Sequence, residues 1–404
     1  MKKIIACITA VLVISTAAFS KNFFTQRFFE VKTGVDFGVS NNLFAANQYM
    51  KKDLVIDLRK IADECPANGF NIRADIAPLY AMNVNVGDIH VGVASGVEMY
   101  ESMALSKDLF DFLGYGNKIG ETMNFSIQND TDVFAFSQLD VGFKLGKLRI
   151  TAKPALFLPI LSMREGGGSV TLLNDSEGNV NAAINLNVDV YSAVELKKVE
   201  DGSGVSFDQE KIESALYRGY GFDLGGGVGL DLTKSLAVDA TCRIPIIPGH
   251  LNYKANVQGG YDFKMKITDF ENPEKTERET TVTNLEETLS ICRPLKLDAY
   301  VSKSLLAGLF NARAGAGFGI RRPFSDAAVF YPEYYLGFGL NLIDMIKVGV
   351  STEYRDQLFI HQVGTTLNIR LIQIDLGLSS QSTNFKKSLS VAGVGAYAYL
   401  TLGF

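Results

Sequence analysis

The sequence predicts an all-β chain whose strands close into a transmembrane antiparallel β-barrel of about 14–16 strands. Apolar and polar residues alternate along about a dozen segments in series, as expected when successive strand side chains point to opposite faces. The polar phase of these segments carries aspartate, lysine and arginine, and unpaired charges are costly to bury in a dry core. That face therefore meets water, and the opposite, apolar face needs a cover.

Lipid is the cover that this composition favours, because the chain contains too few amphipathic helices to shield so much apolar strand surface. Inside hydrocarbon every backbone N–H and C=O needs a partner, and for strands only a closed sheet supplies them all. The rival interpretation is a soluble periplasmic β protein, in which two stacked layers would enclose the leucines and valines. The rival predicts that the mature chain stays dispersed without detergent.

The N-terminal segment, residues 1–20, is predicted to be a cleaved signal peptide. It begins with Lys2 and Lys3, continues as an apolar stretch, and ends with the small residues Ala18 and Ser20. Residues 21–404 are then predicted to form one barrel domain, with no later apolar stretch long enough for a spanning helix. The formal net charge of −5 offers no basic footprint for nucleic acid.

Two segments interrupt the strand pattern. Residues 54–64 place Leu58 and Ile61 on one helical face, and residues 106–114 offer Ser106 as a helix cap before an apolar face. Short helices are predicted near both segments. Within a barrel they must lie in a loop, at one end, or inside the lumen as a plug.

The alternating strands follow one another as hairpins. Short turns at residues 146–147, 233–234 and 344 join strands that agree on which face is apolar. The clearest segments are residues 139–145, 148–153, 220–232, 236–243, 336–342, 346–355, 363–369, 372–379 and 394–404. Glycines on the polar phase, such as Gly225 and Gly227, are predicted to let the sheet bend or to make room in the lumen.

The charged residues on the polar phase are the candidate lumen-lining set. Its members are Lys144, Arg149, Lys153, Asp223, Asp231, Asp239, Arg243, Arg313, Arg321, Lys347, Glu353, Arg355, Arg370 and Asp375. Both signs are present, which leaves two alternatives open. The charges could line an aqueous channel and tune which solutes pass, or they could form salt bridges that hold a closed lumen rigid.

The export signal, the serial amphipathic hairpins and the terminal sequence YLTLGF resemble bacterial outer-membrane β-barrel proteins, in particular porin-like channels and the long-chain fatty acid transporter type. The resemblance implies an outer-membrane location and passive movement of small or hydrophobic, lipid-like solutes. It also implies that the barrel-assembly machinery recognises the last strand, through Tyr399, Leu400, Leu402 and Phe404. Trimers would fit a porin and monomers a fatty acid transporter, so the oligomeric state stays open.

The chain contains no tryptophan, so tyrosine and phenylalanine must form any aromatic girdle at the membrane interfaces. The candidates, which lie near strand ends, are Tyr220, Tyr334, Tyr335, Tyr354 and Phe359.

Catalytic and metal chemistry is not expected. The three histidines, His90, His250 and His361, are scattered and have no neighbouring ligand at metal-binding spacing, and the glycine runs lack the residues of a phosphate loop. The sequence therefore predicts neither an enzyme nor a bound metal or cofactor. A second hypothesis is a surface interaction or adhesion protein, whose barrel anchors polar loops at residues 163–181 and 268–289.

Overall fold

A computed structural model describes residues 27–49, 55–199, 205–208, 218–266, 269–343, 345–369 and 371–404. The signal peptide expected at residues 1–20 and the candidate Arg370 lie outside these residues. The strands are β1 (Phe29–Asn41), β2 (Phe70–Val86), β3 (Ile89–Leu105), β4 (Thr122–Leu145), β5 (Leu148–Asn174), β6 (Asn179–Ser192), β7 (Leu196–Lys198), β8 (Val205–Phe207), β9 (Gly221–Thr233), β10 (Leu236–Ile247), β11 (Gly249–Leu251), β12 (Tyr253–Lys266), β13 (Asp269–Leu285), β14 (Leu289–Ile291), β15 (Leu295–Leu305), β16 (Phe310–Arg321), β17 (Val329–Ile343), β18 (Ile346–Arg355), β19 (Leu358–Ile369), β20 (Ile372–Ser382) and β21 (Gly393–Gly403). The helices are α1 (Ala46–Tyr49), α2 (Leu58–Glu64), α3 (Lys107–Tyr115) and α4 (Phe385–Ser388).

Antiparallel pairing closes a ring of strands, which confirms the predicted barrel. Within the described residues the ring runs β1-β2-β3-β4-β5-β9-β10-β15-β16-β17-β18-β19-β20-β21 and returns to β1, which makes fourteen strands. The closing seam joins β1 to β21 from Glu30↔Gly403 to Ser40↔Gly393. No free edge remains at this seam, so the backbone groups of both strands are paired.

A second sheet branches from the ring at β5, which at 27 residues is longer than the strands beside it. The first part of β5 pairs with β9, and the part from Leu161 onward pairs with β6. Strand β6 pairs with β12, and β12 with β13. Together with the first half of β4 these strands form what we call the projecting sheet. The segments expected to be polar loops, residues 163–181 and 268–289, are therefore mostly strands of this sheet. Strand β13 carries polar, exposed residues on both phases from Glu274 to Glu279, so its sequence shows no strand alternation.

The two ends of the barrel differ. At one end, which we call the turn end, short connections join β2-β3, β4-β5, β9-β10, β15-β16, β17-β18 and β19-β20. Phe29 pairs with Phe404 at this end through backbone hydrogen bonds of 3.1 and 3.0 Å. The helices, the projecting sheet and the longer connections lie at the other end, which we call the loop end. Short turns at one end and long loops at the other are typical of outer-membrane barrels.

The alternation predicted for the last strand is present in the structure. Leu400 and Leu402 point outward and are 37% and 47% exposed, whereas Tyr399 points into the ring and is 4% exposed. Because residues paired across neighbouring strands lie on the same face, the outward phase carries apolar side chains all around the ring. No helix in the described part of the chain is long and apolar enough to cross a bilayer.

The two predicted helices form, as α2 and α3, but they do not plug the lumen. Their apolar faces, including Ala62 and Phe110, pack with Phe70 and Leu105 at the loop end. Phe70 and Leu105 are paired and occupy the outward phase of β2 and β3. The helices therefore cover the outside of the wall, because the apolar residues that they need as partners lie on that side.

The lumen is instead filled from the β10-β15 connection. Strands β11 and β14 pair there, and Leu251 and Ile291 join an apolar cluster with Phe134, Phe136 and Phe157 on the inner wall. The segment that follows, residues 291–294, is buried and is called the strap below.

Candidate functional site in the lumen

The structure places the described members of the predicted lumen set on the inner face of the ring. These are Lys144, Arg149, Lys153, Asp223, Asp231, Asp239, Arg243, Arg313, Arg321, Lys347, Glu353, Arg355 and Asp375. Their arrangement differs between the two halves of the barrel, and this difference defines the site.

In the turn half, ion pairs join strands that are close neighbours in the ring. Arg149 on β5 contacts Asp239 on β10 at 2.8 Å and Asp231 on β9 at 3.2 Å, and Lys153 contacts Asp140 at 3.1 Å. These pairs span at most two places along the wall. They stiffen the wall without crossing the lumen.

The inner wall of the turn half is also lined by tyrosine rings that lie over glycines. A Cβ added to Gly315 would overlap the Tyr300 ring, and one added to Gly377 would overlap the Tyr397 ring. Glycine leaves the space into which a neighbouring ring packs, the arrangement that rescues glycine positions in sheets. The glycines on the polar phase were predicted to make room in the lumen, and at these two positions the protein's own tyrosine rings occupy that room.

In the loop half, side chains contact each other across the lumen. Arg321 on β16 donates to Asp132 on β4 at 3.0 Å and to the Tyr100 carbonyl on β3 at 3.5 Å. Strands β3 and β16 are third and ninth in the ring of fourteen, so they stand on nearly opposite walls. Arg322 reaches the same carboxylate, with Nε 2.9 Å from Asp132. The lumen is bridged at this level.

A second connection holds the strap. Arg293 donates to Asp223 on β9 and to Glu98 on β3, both at 2.8 Å, and its guanidinium lies 4.2 Å from the centroid of the Phe136 ring. Arg243 on β10 also contacts Glu98, at 2.7 Å. The strap is thereby fixed to the walls on both sides of the apolar cluster.

A third group lies on the remaining side of the loop half. Lys296 on β15 contacts Glu333 on β17 at 3.1 Å and Asp356 in the β18-β19 turn at 3.0 Å. Arg73 on β2 donates to the carbonyl of Asp356 at 3.0 Å. Ion pairs, together with a hydrogen bond from Arg73 to a backbone carbonyl, therefore connect the walls of the loop half from β2 around to β18. We call the contacts across the loop half the bridging layer.

The wall itself is interrupted beside this layer. Pairing between β2 and β3 stops after Ala74↔Glu101 and resumes at Leu79↔Gly96 in the same register. No residue is inserted, so residues 75–78 and 97–100 stand opposite each other without ladder pairing. Pro78, which has no N–H to donate, lies in this stretch. We call this unpaired stretch of the wall the window.

The inner face is apolar next to the window, on its turn-end side. Leu79 and Ala81 lie there on β2, Ala94 lies opposite on β3, and Phe136 lies on the next strand. At the window itself the inward residues are polar: Asp75 lies on the β2 side, and Glu98 and Tyr100, which belong to the bridging layer, lie on the β3 side. The window therefore opens at the level where the lumen is bridged.

The outer surface carries part of the expected aromatic girdle. Tyr334 stacks on Tyr354 with ring centroids 5.7 Å apart, and Tyr354 lies 4.5 Å from Phe359, all near the loop end. Tyr220 is 44% exposed just before β9. The expectation for Tyr335 is wrong, because it occupies the inward phase of β17 and packs against Tyr300.

The sequence-predicted set missed the residues that bridge the lumen. Asp132, Glu98, Arg293 and Arg322 are not in it. The alternating phase of β4 and β3 reaches Asp132 and Glu98 and could have identified them. Arg293 and Arg322 lie outside strands and carry no periodic signal.

No protein-family model matches the chain, and no curated protein matches it in sequence. Among solved structures, the fold is similar to a TodX deltaS2S3 mutant described as a monoaromatic hydrocarbon channel, with a TM-score of 0.51 and 10% identity over 98% of this chain and 96% of that chain. It is also similar to the toluene transporter TodX of P. putida, with a TM-score of 0.50 and 8% identity over 95% and 91% of the two chains. At this identity the similarity shows the fold alone, that of a β-barrel.

Proposed function

We propose that this chain is an outer-membrane channel that lets small hydrophobic solutes enter passively and leave sideways through the window. The observation that carries the proposal is the interrupted β2-β3 ladder beside a bridged lumen. The similarity in fold to a toluene transporter over nearly the whole of both chains supports it.

The membrane location follows from the distribution of side chains. Leucines, valines and phenylalanines on the outward phase are exposed around the ring, among them Phe338, Val350, Val363 and Leu378. An apolar surface of this extent is stable when acyl chains cover it, and the closed ladder satisfies the backbone groups that lipid cannot. The few described helices lie at the loop end and leave this band uncovered.

The route follows from what each part of the lumen offers a solute. Below the bridging layer the wall carries charges such as Arg149 and Lys153, which give a hydrophobic molecule no favourable partner. On the turn-end side of the window the inner wall is apolar at Leu79, Ala81 and Ala94, and the outward residue Ile76 within the window is 45% exposed. A hydrophobic solute that enters from the loop end is therefore stopped by the bridge and leaves into the lipid.

A cross-link across the window tests this route. Cysteines at the facing positions Ile76 and Met99 are joined by a bismaleimide, in a variant whose native cysteines are replaced by alanine. The matched control joins Met82 and Val93, which face each other six residues along the same two strands where pairing is intact. Uptake of toluene is expected to fall with the first cross-link only. Unchanged uptake, or equal loss with both cross-links, would contradict the route.

A second candidate function is binding of a surface partner by the projecting sheet. One face of that sheet carries a ladder of amides, in which Asn256 donates to Asn187 at 2.8 Å and Gln258 donates to Asn256 at 2.6 Å. If this face binds a partner, replacing these three residues by alanine abolishes binding to cells or envelope components while the barrel still assembles. Unchanged binding would contradict this function.

A further inference from the structure

Asp132 is the meeting point of the bridge across the lumen. Its carboxylate accepts from Arg321, from Arg322 and from Ser162 at 2.8 Å, and its side chain is 1% exposed. Both arginines come from β16 and the residue after it, five places away around the ring. This buried carboxylate, together with the more exposed Asp130 on the same strand, therefore holds two walls together.

The second arginine reaches Asp132 because the β16-β17 connection turns into the barrel. Arg322 adopts a φ of 50°, a left-handed conformation that costs a residue with a side chain about 1–2 kcal/mol. Arg322 and Pro323 are buried, whereas Phe324 is 79% exposed. The strained, inward position of Arg322 is offset by its bonds to Asp132.

Removing the carboxylate would leave both guanidiniums without their shared partner. Arg321 and Arg322 would keep Asp130, whose side chain is 41% exposed, and the Tyr100 carbonyl. Two like charges near one half-exposed carboxylate repel each other and gain hydration by turning toward water. The connection that carries Arg322 would then move off the opposite wall.

We propose that Asp132 determines specificity by keeping the lumen closed to hydrophilic solutes along its full length. Hydrophobic solutes leave through the window at the level of the bridge, whereas ions and sugars would have to pass the bridge. The inference rests on the proposed function in so far as the barrel is a membrane channel. It assigns the exclusion of polar solutes to a single carboxylate.

The test measures ion conductance in planar bilayers and sugar permeation in proteoliposomes for D132A. A severalfold rise in both is expected relative to the unchanged protein. The matched control is D140A, which removes an inward aspartate with a 16% exposed side chain that also bonds a cation, Lys153, but along the wall. The control is expected to leave both measurements unchanged. Equal conductance of D132A and the unchanged protein would overturn the proposal, as would an equal rise in D140A.

A reversible closure separates the bridge from a general loosening of the barrel. Cysteines at 132 and 322 are joined by a bifunctional methanethiosulfonate in the variant without native cysteines, so that reductant removes the link. Conductance is expected to fall on linking and to return on reduction; no change would count against the bridge. If D132A does not reach the folded, heat-modifiable form, R321A/R322A removes the same bridge from the other wall and carries the same two outcomes.

The two proposals fail separately. If the window cross-link leaves toluene uptake unchanged while D132A raises conductance, the proposed route is wrong and the role of Asp132 stands. An unchanged conductance in D132A, with uptake that responds to the window cross-link, removes the role of Asp132 alone.

Discussion

Replacing Arg293 with methionine should destabilise the barrel by about 3 kcal/mol, the lower end of the range for removing one member of a buried ion pair. The side chains of Arg293 and Asp223 are 2% and 1% exposed, so Asp223 would lose its partner without gaining water. Glu98 would keep Arg243 at 2.7 Å. One carboxylate rather than two is thus left uncompensated, which places the loss at the low end.

The measurement uses folded fractions across a guanidinium series in detergent. The chain contains no tryptophan for a fluorescence readout. The fraction folded is therefore measured from the migration of unboiled samples on a gel. D223N, in which Arg293 keeps Glu98, should cost about 1–2 kcal/mol. The double variant should lose less than the sum of the two, since the removed groups are partners. A loss of stability below about 1 kcal/mol in R293M, or strictly additive losses in the double variant, would refute the claim that the Arg293–Asp223 pair fixes the strap to the wall.

Two further predictions concern other parts of the barrel. Valine at Gly377 should displace the Tyr397 ring and cost about 1–3 kcal/mol by overpacking; the same gel series should show that Tyr397→Ala restores part of this loss, and an equal loss with and without Tyr397 would contradict the packing. At the loop end, burial raises the pKa of the Cys65 thiol, so its thiolate fraction stays low until the pH exceeds the usual cysteine range. Maleimide labelling followed by mass spectrometry should therefore modify Cys65 more slowly than a cysteine introduced at the 47% exposed Leu113, and equal rates would contradict its burial.

The regular part of the fold was predictable because a closed sheet in lipid imposes a strict period of two. The last strand illustrates this: Leu400 faces outward and Tyr399 inward, as the alternation requires. The same rule places Arg149 and Asp239 on the inner face. Tyr335 was expected at the surface only because it lies near a strand end. The rule itself places Tyr335 on the inner face, because it occupies the inward phase of β17.

The site was less predictable because its decisive features are not periodic. The strap residue Arg293 belongs to an irregular segment, and its partners come from strands far apart in sequence. The window depends on a ladder that stops and resumes in the same register, and Pro78 is the local sign of it in the sequence. The helices were found, but their position depended on apolar partners on the outer wall that only the assembled sheet reveals.

The alternation of lipid and water along one strand is the most direct test of the account. Spin labels are placed singly at consecutive positions of β21, residues 394–401, in the protein reconstituted in lipid vesicles, and their collision rates with oxygen and with a water-soluble nickel chelate are recorded. The account predicts high oxygen accessibility at 394, 396, 398 and 400 and low values between them. High chelate accessibility at those four positions, or no period of two, would contradict a barrel with its apolar face in the membrane.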